Sequence, residues 1–432
     1  MNLPVHKQPL AAEAHALSKL AQWDEARAKL MLLISQITGV EVKQLTINRD
    51  QYSLNSLNGI VSLIDSSDYF FKYHHEEGEE HSIEEYYRAE LLKQHGFPVD
   101  VPVFACKEPG RQILLYTKRD EQRLADVCRT IEMQKDWANM APVIEAQVAF
   151  DKLVLGKTLN SYRVGTKTQV NSEAIHQLFY RRLVDKVNPV GFGGRVAKFY
   201  VGKTFALGSV VLDWDTFANA KWQINGIDYP HTIFELFQQA SNVLDPINLA
   251  NHGVVTAHGD AHNANVWFEQ SDKPSLSMFD PAFAGEYIPA LLSEIKATFH
   301  NIFAHPYWLY EPKEVESNYD INVYFNDETS TIHINHNWDL TPLRQSFLDS
   351  KMTHYWKPLI QFLADKNALP AHWKEIIRLG LFCCPTLVMN LRASADNSNT
   401  AYSSALGFAL AVSLASSNDA GLSHWVDSLE TP

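Results

Sequence analysis

The sequence HGDAHNANVWF at residues 258–268 is followed by SMFDPAF at residues 277–283. The β-forming residues after Asn265, a polar turn around Pro274 and a second apolar run up to Phe279 predict a hairpin. We expect it to bring Asn265, at its entry, near Asp280, at its exit. An amide oxygen and a carboxylate that converge suit a hard cation held by oxygen ligands. Asp260 precedes Asn265 by five residues and is expected to face the same metal centre without being a ligand.

This combination of side chains is typical of phosphoryl transfer. Negative charge spreads over the γ-phosphoryl oxygens in the transition state, so catalysis consists mostly of positioning and cationic stabilisation. The reaction needs a carboxylate that accepts or orients the proton of the incoming hydroxyl, and oxygen ligands that hold magnesium against the phosphates.

A metal-dependent hydrolase is an alternative interpretation of the same residues. His258, Asp260 and His262 alternate, and on a strand they would share one face and could bind zinc or another transition metal. Against this, no outlying set of further ligands is evident, and Gly259 and Ala261 make a weak strand.

The motif His258-Gly259-Asp260-x-His262-x-x-Asn265, followed by Phe279-Asp280, resembles the catalytic loop and metal segment of the aminoglycoside phosphotransferase and choline kinase family. The Asp-Pro-Ala after Phe279 is also similar to that of fructosamine and methylthioribose kinases. The family has the protein-kinase-like fold. The resemblance implies an α+β, two-lobed chain with a small antiparallel-sheet N-lobe and a larger, mostly helical C-lobe.

The resemblance also implies the chemistry and its residues. Asp260 would be the catalytic base, Asn265 and Asp280 the magnesium ligands, ATP and Mg²⁺ the cofactors, and a small molecule with a hydroxyl group the acceptor. Some relatives carry a second acid where this chain has Ala282, so a second metal would depend on Asn265, Asp280 and water. A nucleotide-binding pseudokinase or regulator is the remaining alternative.

The kinase interpretation also requires a lysine earlier in the sequence, on the third strand of the small sheet. Lys72 follows three aromatic residues, and alternation puts it on the same face as Phe70, with Phe71 and Tyr73 opposite. A glutamate on the next helix should orient that lysine. Glu85 is the first candidate, and Glu84 and Glu90 compete with it.

Other nucleotide contacts are less marked in the sequence. The polar stretch Ser53 to Gly59 holds one glycine, but the hydroxyls of Ser53 and Ser56 and backbone N–H groups could cap phosphates. The resemblance places the interlobe hinge, which meets adenine, at Tyr116 to Lys118. The glycine cluster at residues 191–195 lacks the ending of a phosphate-binding loop and is interpreted as a loop.

The pattern along the chain divides it into three parts. We predict an N-terminal helical extension at 1–39 (one amphipathic helix from Ala11 to Ile37, ended by Gly39), an N-lobe at 40–117 and a helical C-lobe at 118–432. In the N-lobe, strands are predicted at 40–47, 59–64, 68–73, 103–106 and 112–116, and a helix at 82–95. In the C-lobe, helices are predicted near 120–138, 141–155, 172–187 and 231–244. A hairpin at 321–334 is interpreted as an insertion or a lid-side arm.

The net charge and the spacing of the cysteines restrict the expected partners and location of the protein. The formal net charge of −13 repels phosphate backbones and anionic lipids, so neither nucleic acid nor a membrane is an expected partner. The four cysteines lack zinc-like spacing and are expected to be reduced, and we expect a soluble, cytoplasmic protein. In the C-lobe, aromatic residues such as Trp214, Trp308, Tyr310 and Trp338 either line an acceptor pocket or pack in the core.

Overall fold

The structure is a computed structural model that describes residues 8–48, 56–74, 82–185, 192–304, 307–395, 397–417 and 421–429. Within these ranges, the side chains of residues 56, 74 and 82–87 are outside the description. The chain divides into two compact units. The first consists of Met1–Glu121 and Ser277–Ala282, and the second of Gln122–Leu276 and Phe283–Pro432. The short segment that carries Asp280 therefore belongs to the N-terminal unit.

The first unit begins with two helices, α1 at Leu10–Lys19 and α2 at Trp23–Thr38, so the prediction of one continuous helix is wrong. Ala21 lies between them with φ +57°, a left-handed conformation that ends a right-handed helix. Both helices bury apolar residues in one core with the sheet, so the apolar periodicity runs across the break and conceals it. Gly39, with φ +72°, ends α2 as predicted.

Five antiparallel strands form the sheet of the first unit, in the order β1-β2-β3-β5-β4. They are β1 Val42–Ile47, β2 Ser56–Leu63, β3 Asp68–His74, β4 Phe104–Cys106 and β5 Ile113–Thr117, with the helix α3 at Ser82–Gln94. These elements confirm the predicted strands and helix within one or a few residues.

The start of β2 differs from the prediction, because Ser56 to Gly59 belong to the strand and not to a polar loop. Gly59 is paired with Ile47 of β1. A Cβ on Gly59 would lie 1.9 Å from the carbonyl oxygen of Thr46 and 2.9 Å from the ring of Phe71. This glycine therefore permits close packing within the sheet, which a local turn signal does not reveal.

Helices make up most of the second unit. The predicted helices near 120–138, 141–155 and 231–244 are confirmed with shifted ends, at Leu124–Gln134, Ala141–Asn160 and Ile233–Val243. The one predicted at 172–187 is wrong, because the buried Phe179 has a non-helical backbone that separates a 3₁₀ turn, Ala174–Gln177, from a short helix. The helices are α4 Leu124–Gln134, α5 Ala141–Asn160, α6 Lys167–Ser172, α7 Tyr180–Leu183, α8 Gly194–Phe199, α9 Trp214–Asn219, α10 Ile233–Val243, α11 Pro246–Leu249, α12 Ile295–Thr298, α13 Val315–Asn318, α14 Pro342–Lys351, α15 Lys357–Asp365, α16 Trp373–Val388, α17 Ala401–Ala415 and α18 His424–Asp427.

Short strands accompany these helices. They are β6 Gln122–Arg123, β7 Thr204–Leu207, β8 Val210–Asp213, β9 Lys221–Ile224, β10 Ile227–Tyr229, β11 Val254–Ala257, β12 Val266–Glu269, β13 Ser275–Met278, β14 Gly285–Pro289, β15 Ile321–Asn326 and β16 Thr331–His336. The chain passes from the second unit to the first within β13. The sheets have the orders β10-β9-β16-β15, β11-β14, β13-β12-β6 and β7-β8.

The hairpin predicted at 321–334 is confirmed as β15 and β16. It is not a separate arm, because β16 pairs in parallel with β9 and completes a four-stranded sheet. The strands β7 to β10 were not predicted, because they are three or four residues long and too short for a clear alternation.

The predicted α+β class is confirmed, with an antiparallel sheet in the first unit and a mostly helical second unit. The centre of the second unit is formed by α16 and α17, in which nearly every residue is buried. All four cysteines are free thiols, as predicted, and Cys128, Cys383 and Cys384 are buried. Within the described ranges we find no helix with both the length and the apolar character needed to cross a membrane.

Candidate functional site

The strand β11, buried along its whole length, leads into the catalytic-loop motif. The chain leaves the extended conformation at Gly259, whose φ is +77°. His258 is buried, and its Nδ1 accepts a hydrogen bond of 3.3 Å from the N–H of Asp260. His258, Asp260 and His262 therefore do not share a strand face, and the premise of the zinc-hydrolase alternative is wrong. Over the described part of the chain, no group of three or more His, Cys, Asp or Glu residues is placed to hold a metal ion.

Gly259 is required at this turn for two reasons. Its left-handed φ disfavours any residue with a Cβ. A Cβ would also lie 2.8 Å from Cδ1 of Ile175 and 3.0 Å from the carbonyl oxygen of Phe283. The glycine of the motif therefore allows the backbone to turn sharply at the residue before Asp260.

The carboxylate of Asp260 is largely buried, with 14% of its side chain exposed. Its Oδ1 is buried and has no hydrogen-bond partner among the described residues. Nζ of Lys296 and Nε2 of His262 each lie 3.8 Å from Oδ1, which is beyond hydrogen-bond distance. A buried acceptor atom without a partner is uncommon in proteins and calls for an explanation, of which an external donor is one.

The side chain of Asn265 is hydrogen-bonded to the backbone of Asp260. Its Nδ2 donates a hydrogen bond of 3.0 Å to the carbonyl oxygen of Asp260, which fixes the amide and turns its Oδ1 away from that contact. The intervening 3₁₀ turn, Asn263–Asn265, is capped by His262, whose Nδ1 accepts from the N–H of Ala264. His262 thus acts as a hydrogen-bonding scaffold of this turn, and the magnesium role of Asn265 stays a prediction.

A buried ion pair stabilises the loop that carries Asp260. The guanidinium of Arg344 makes two hydrogen bonds of 2.8 Å to the carboxylate of Glu132 and one of 2.7 Å to the carbonyl oxygen of Asn301. Oδ1 of Asn301 in turn accepts a hydrogen bond of 2.7 Å from the N–H of Asn263. The loop is therefore fixed by contacts with residues from distant parts of the sequence.

Lys296 and His300, which were not predicted for the site, form a series of polar contacts beside Asp260 that ends at the partly exposed Tyr310, a predicted candidate for the acceptor pocket. Nζ of Lys296 lies 2.8 Å from Nε2 of His300, and Nδ1 of His300 contacts the hydroxyl of Tyr310. His300 and Asn301 both lie on a π-helical turn, Phe299–Phe303, and such turns occur frequently at functional sites. The available signal was a lysine and a histidine in an otherwise apolar stretch, which has no motif.

In the first unit, Lys72 and Asp280 form an ion pair, with Nζ 2.6 Å from Oδ1. Lys72 projects from β3 on the face predicted for it, because Phe71 and Tyr73 are buried on the opposite face. About a third of the Asp280 side chain is exposed, and its backbone has φ +54°. The structure therefore brings together two residues predicted for phosphate and metal binding.

The segment that carries Asp280 is attached to the first unit through its backbone. The N–H of Met278 donates to the carbonyl oxygen of Pro98, and the carbonyl oxygen of Met278 accepts from the N–H of Asp100. Arg119 holds the side chain of Asp100 through its Nε, at 3.1 Å. This short parallel pairing sets the position of Asp280, two residues further along the chain.

The remaining predicted contacts are placed only in part. Tyr116 is buried in β5, and the N–H of Lys118 donates to the carbonyl oxygen of Asp68, so this amide is already used in the sheet. The ammonium of Lys118 pairs with Asp120 at 3.1 Å.

Ser53 lies outside the described residues, and the side chains of Ser56, Glu84 and Glu85 lie outside the description, so their roles stay predictions. The approach of Asn265 to Asp280 likewise stays a prediction. Trp214, Trp308 and Trp338 are buried core residues.

No protein-family model matches the sequence, and no curated protein matches it. Among solved structures, the chain is similar to an amicoumacin kinase in complex with AMP-PNP, Ca²⁺ and Ami, with 14% identity, a TM-score of 0.43, and 86% of this chain and 88% of that chain covered. It is also similar to an ethanolamine kinase of Plasmodium vivax (11% identity, TM-score 0.38, 85% and 81% covered) and to a macrolide 2'-phosphotransferase of Brachybacterium faecium (12%, 0.35, 83% and 98%). Likenesses of this degree say nothing about activity or substrate.

Proposed function

We propose that the chain is an ATP- and magnesium-dependent phosphotransferase that moves the γ-phosphoryl group to a hydroxyl of a small molecule. The observation that carries this proposal is the state of Asp260. Its Oδ1 is buried and without a hydrogen-bond partner among the described residues, on a loop that departs from strand geometry at Gly259. A carboxylate oxygen in this state is suited to accept the proton of an incoming hydroxyl.

In the proposed reaction, the acceptor hydroxyl gives its proton to Asp260 while its oxygen forms a bond to the γ-phosphorus. The bond between that phosphorus and the bridging oxygen breaks, and ADP leaves with the electron pair. Magnesium-ATP, when bound, supplies the phosphoryl group and a cation that offsets its charge. Asp280 and the amide oxygen of Asn265 are the proposed magnesium ligands, and Lys72 the proposed phosphate contact.

The donors present fit a magnesium ion bound to phosphates. Magnesium in such sites takes one or two protein oxygen ligands in addition to phosphate oxygens and water. Asp280 offers a partly exposed carboxylate that is already paired with a cation, and the amide of Asn265 is oriented through its Nδ2.

The test is phosphoryl transfer by the purified protein from magnesium-ATP to a panel of small hydroxylated metabolites, followed by mass spectrometry. We expect one class of product to gain a phosphate. Asp260→Asn should reduce its formation by about 10²- to 10⁴-fold, the usual contribution of a general base. Asp215→Asn, a change at an exposed aspartate of α9, is the matched control and should retain wild-type activity.

Two results would contradict the proposal. Undiminished transfer by Asp260→Asn would remove the role assigned to that carboxylate. Stabilisation of the wild-type protein by magnesium-ATP, without turnover on any acceptor, would favour the pseudokinase alternative.

A further inference from the structure

Lys296 is an unusual lysine because its ammonium is buried without an anion at hydrogen-bond distance. Its side chain is 4% exposed, and the carboxylate nearest to Nζ is that of Asp260, at 3.8 Å. Burial lowers the pKa of Lys296, and the Asp260 carboxylate opposes this change. Removing a cation from water without a hydrogen-bonded anion is costly, so a lysine in this state calls for an explanation.

A second buried lysine of the same unit shows what full compensation looks like. Lys351 is as deeply buried, but its Nζ lies 2.6 Å from Asp151 and 2.9 Å from Glu294. These two carboxylates raise the pKa of Lys351 against the effect of burial. Lys351 is thus a structural cation, whereas Lys296 lacks an anion at hydrogen-bond distance.

The position of Lys296 is nevertheless well defined. Its Nζ hydrogen-bonds Nε2 of His300, and Nδ1 of His300 contacts the hydroxyl of Tyr310. Burial lowers the pKa of His300 well below its usual value, with smaller contributions from Lys296 and His262, so the imidazole is neutral. A neutral ring accepts from Lys296 at Nε2 and donates from Nδ1 to Tyr310. The ammonium therefore keeps two of its three hydrogens for other partners.

Both Nζ of Lys296 and Oδ1 of Asp260 have unused hydrogen-bonding capacity, and they are 3.8 Å apart. One hydroxyl oxygen at about 2.8 Å from each atom satisfies both, since it donates its hydrogen to the carboxylate and accepts one from the ammonium. We propose that Lys296 is a further catalytic residue of this site, which binds the acceptor hydroxyl together with Asp260 and stabilises the negative charge that develops on its oxygen.

This role rests on the proposed phosphotransferase function and adds a group to it. Asp260 takes the proton, the acceptor oxygen bonds to the γ-phosphorus, and ADP departs with the electron pair, while Lys296 keeps its own protons. A cation held in a water-poor site acts on charge in the transition state more strongly than it would in water. The His300–Tyr310 pair fixes the direction of the ammonium.

The test compares Lys296→Met, Lys296→Arg and the buried control Lys351→Met, with water as the acceptor in phosphate release from magnesium-ATP and with any acceptor found in the panel. We expect Lys296→Met to lower kcat by about 10²-fold, as for loss of one oxyanion donor, and to leave the KM for ATP within about twofold. Lys296→Arg, which keeps the charge, should recover part of kcat. Lys351→Met should lower the unfolding temperature and leave the kcat of the folded protein unchanged.

If Lys296→Met does not fold, Tyr310→Phe tests the same arrangement, because it removes the hydroxyl that fixes His300. It should lower kcat several-fold with an unchanged KM for ATP. Turnover that depends on Asp260 but is unaffected by both Lys296→Met and Tyr310→Phe overturns this inference alone. A wild-type protein without any turnover overturns the proposed function and this inference together.

Discussion

The ammonium of Lys72 lies 2.6 Å from Oδ1 of Asp280, although 208 residues separate the two in sequence. Both belong to the first unit, because the segment Ser277–Ala282 returns to it and is held there by Met278. The pair joins the third strand of the sheet to the proposed metal segment. Although the Lys72 side chain is only 10% exposed, that of Asp280 is 37% exposed, so water screens the pair and its contribution to stability is small.

Replacement of Lys72 should therefore affect nucleotide binding far more than folding. We expect Lys72→Met to change the free energy of unfolding by less than about 1 kcal/mol. For the wild-type protein, magnesium-ATP at about 100 times its dissociation constant should add about 2.7 kcal/mol. Lys72→Met should lose most of this increment at the same concentration, as measured by thermal shift. Lys43→Met, at an exposed position of β1, should keep it, and equal increments in both variants would exclude Lys72 as a phosphate contact.

The glycine before Asp260 offers a prediction about the geometry of the loop. Gly259→Ala should reduce the free energy of unfolding by about 1–3 kcal/mol, because of the left-handed φ and the close contacts with Ile175 and Phe283. Gly156→Ala is the matched control, since this exposed glycine of α5 has no atom within 4 Å of an added Cβ. It should raise stability by about 0.5–1 kcal/mol. Chemical denaturation of both variants measures the difference, and a neutral Gly259→Ala would contradict the loop conformation.

The ion pair between Arg344 and Glu132 should be important for the stability of the folded protein. Arg344→Met removes the guanidinium from a Glu132 carboxylate that is nearly inaccessible to solvent. A buried charge left without its partner destabilises a protein by about 3–5 kcal/mol. The double variant Glu132→Leu/Arg344→Met should be more stable than Arg344→Met, because no charge is left unpaired. Urea denaturation of the two variants decides the point, and a less stable double variant would contradict it.

Buried histidines should make the protein less stable in acid. Burial, more than the nearby Arg181, lowers the pKa of His176 to about 4, against the opposing hydrogen bond to the carbonyl oxygen of Val170. The unfolded chain therefore binds this proton at a higher pH than the folded chain. The contribution is present above about pH 6.5 and is lost as pH falls from there to about 4, by up to roughly 3 kcal/mol.

We expect His176→Gln to reduce the slope of unfolding free energy against pH between about pH 6.5 and 4. Burial also lowers the pKa of His336 to about 4, so part of the slope should remain. His424→Gln, at an exposed position, should leave the slope as in the wild-type protein. Denaturant titrations at several pH values provide the measurement, and a slope that His176→Gln does not change would exclude this residue as a source.

Local sequence patterns predicted the structural elements whose positions depend on residues close together in the sequence. The alternation at Lys72, the end of α2 at Gly39 and the hairpin at 321–334 depend on residues a few positions apart, and all three were predicted. The breaks at Ala21 and Phe179 were not, because apolar periodicity continues through both. Each break is decided by the core on which the flanking segments pack.

The candidate site shows the same division. Residue types, their spacing and the resemblance to a phosphotransferase family together selected Lys72, Asp260, Asn265 and Asp280 as candidates, since phosphoryl transfer requires oxygen ligands, a carboxylate base and a cation. They could not reveal that Asp280 pairs with Lys72, or that Lys296 lies beside Asp260 with too few partners for a buried ammonium. Ion pairing and desolvation depend on which atoms surround a charge, and for these residues the surrounding atoms come from parts of the chain far apart in sequence.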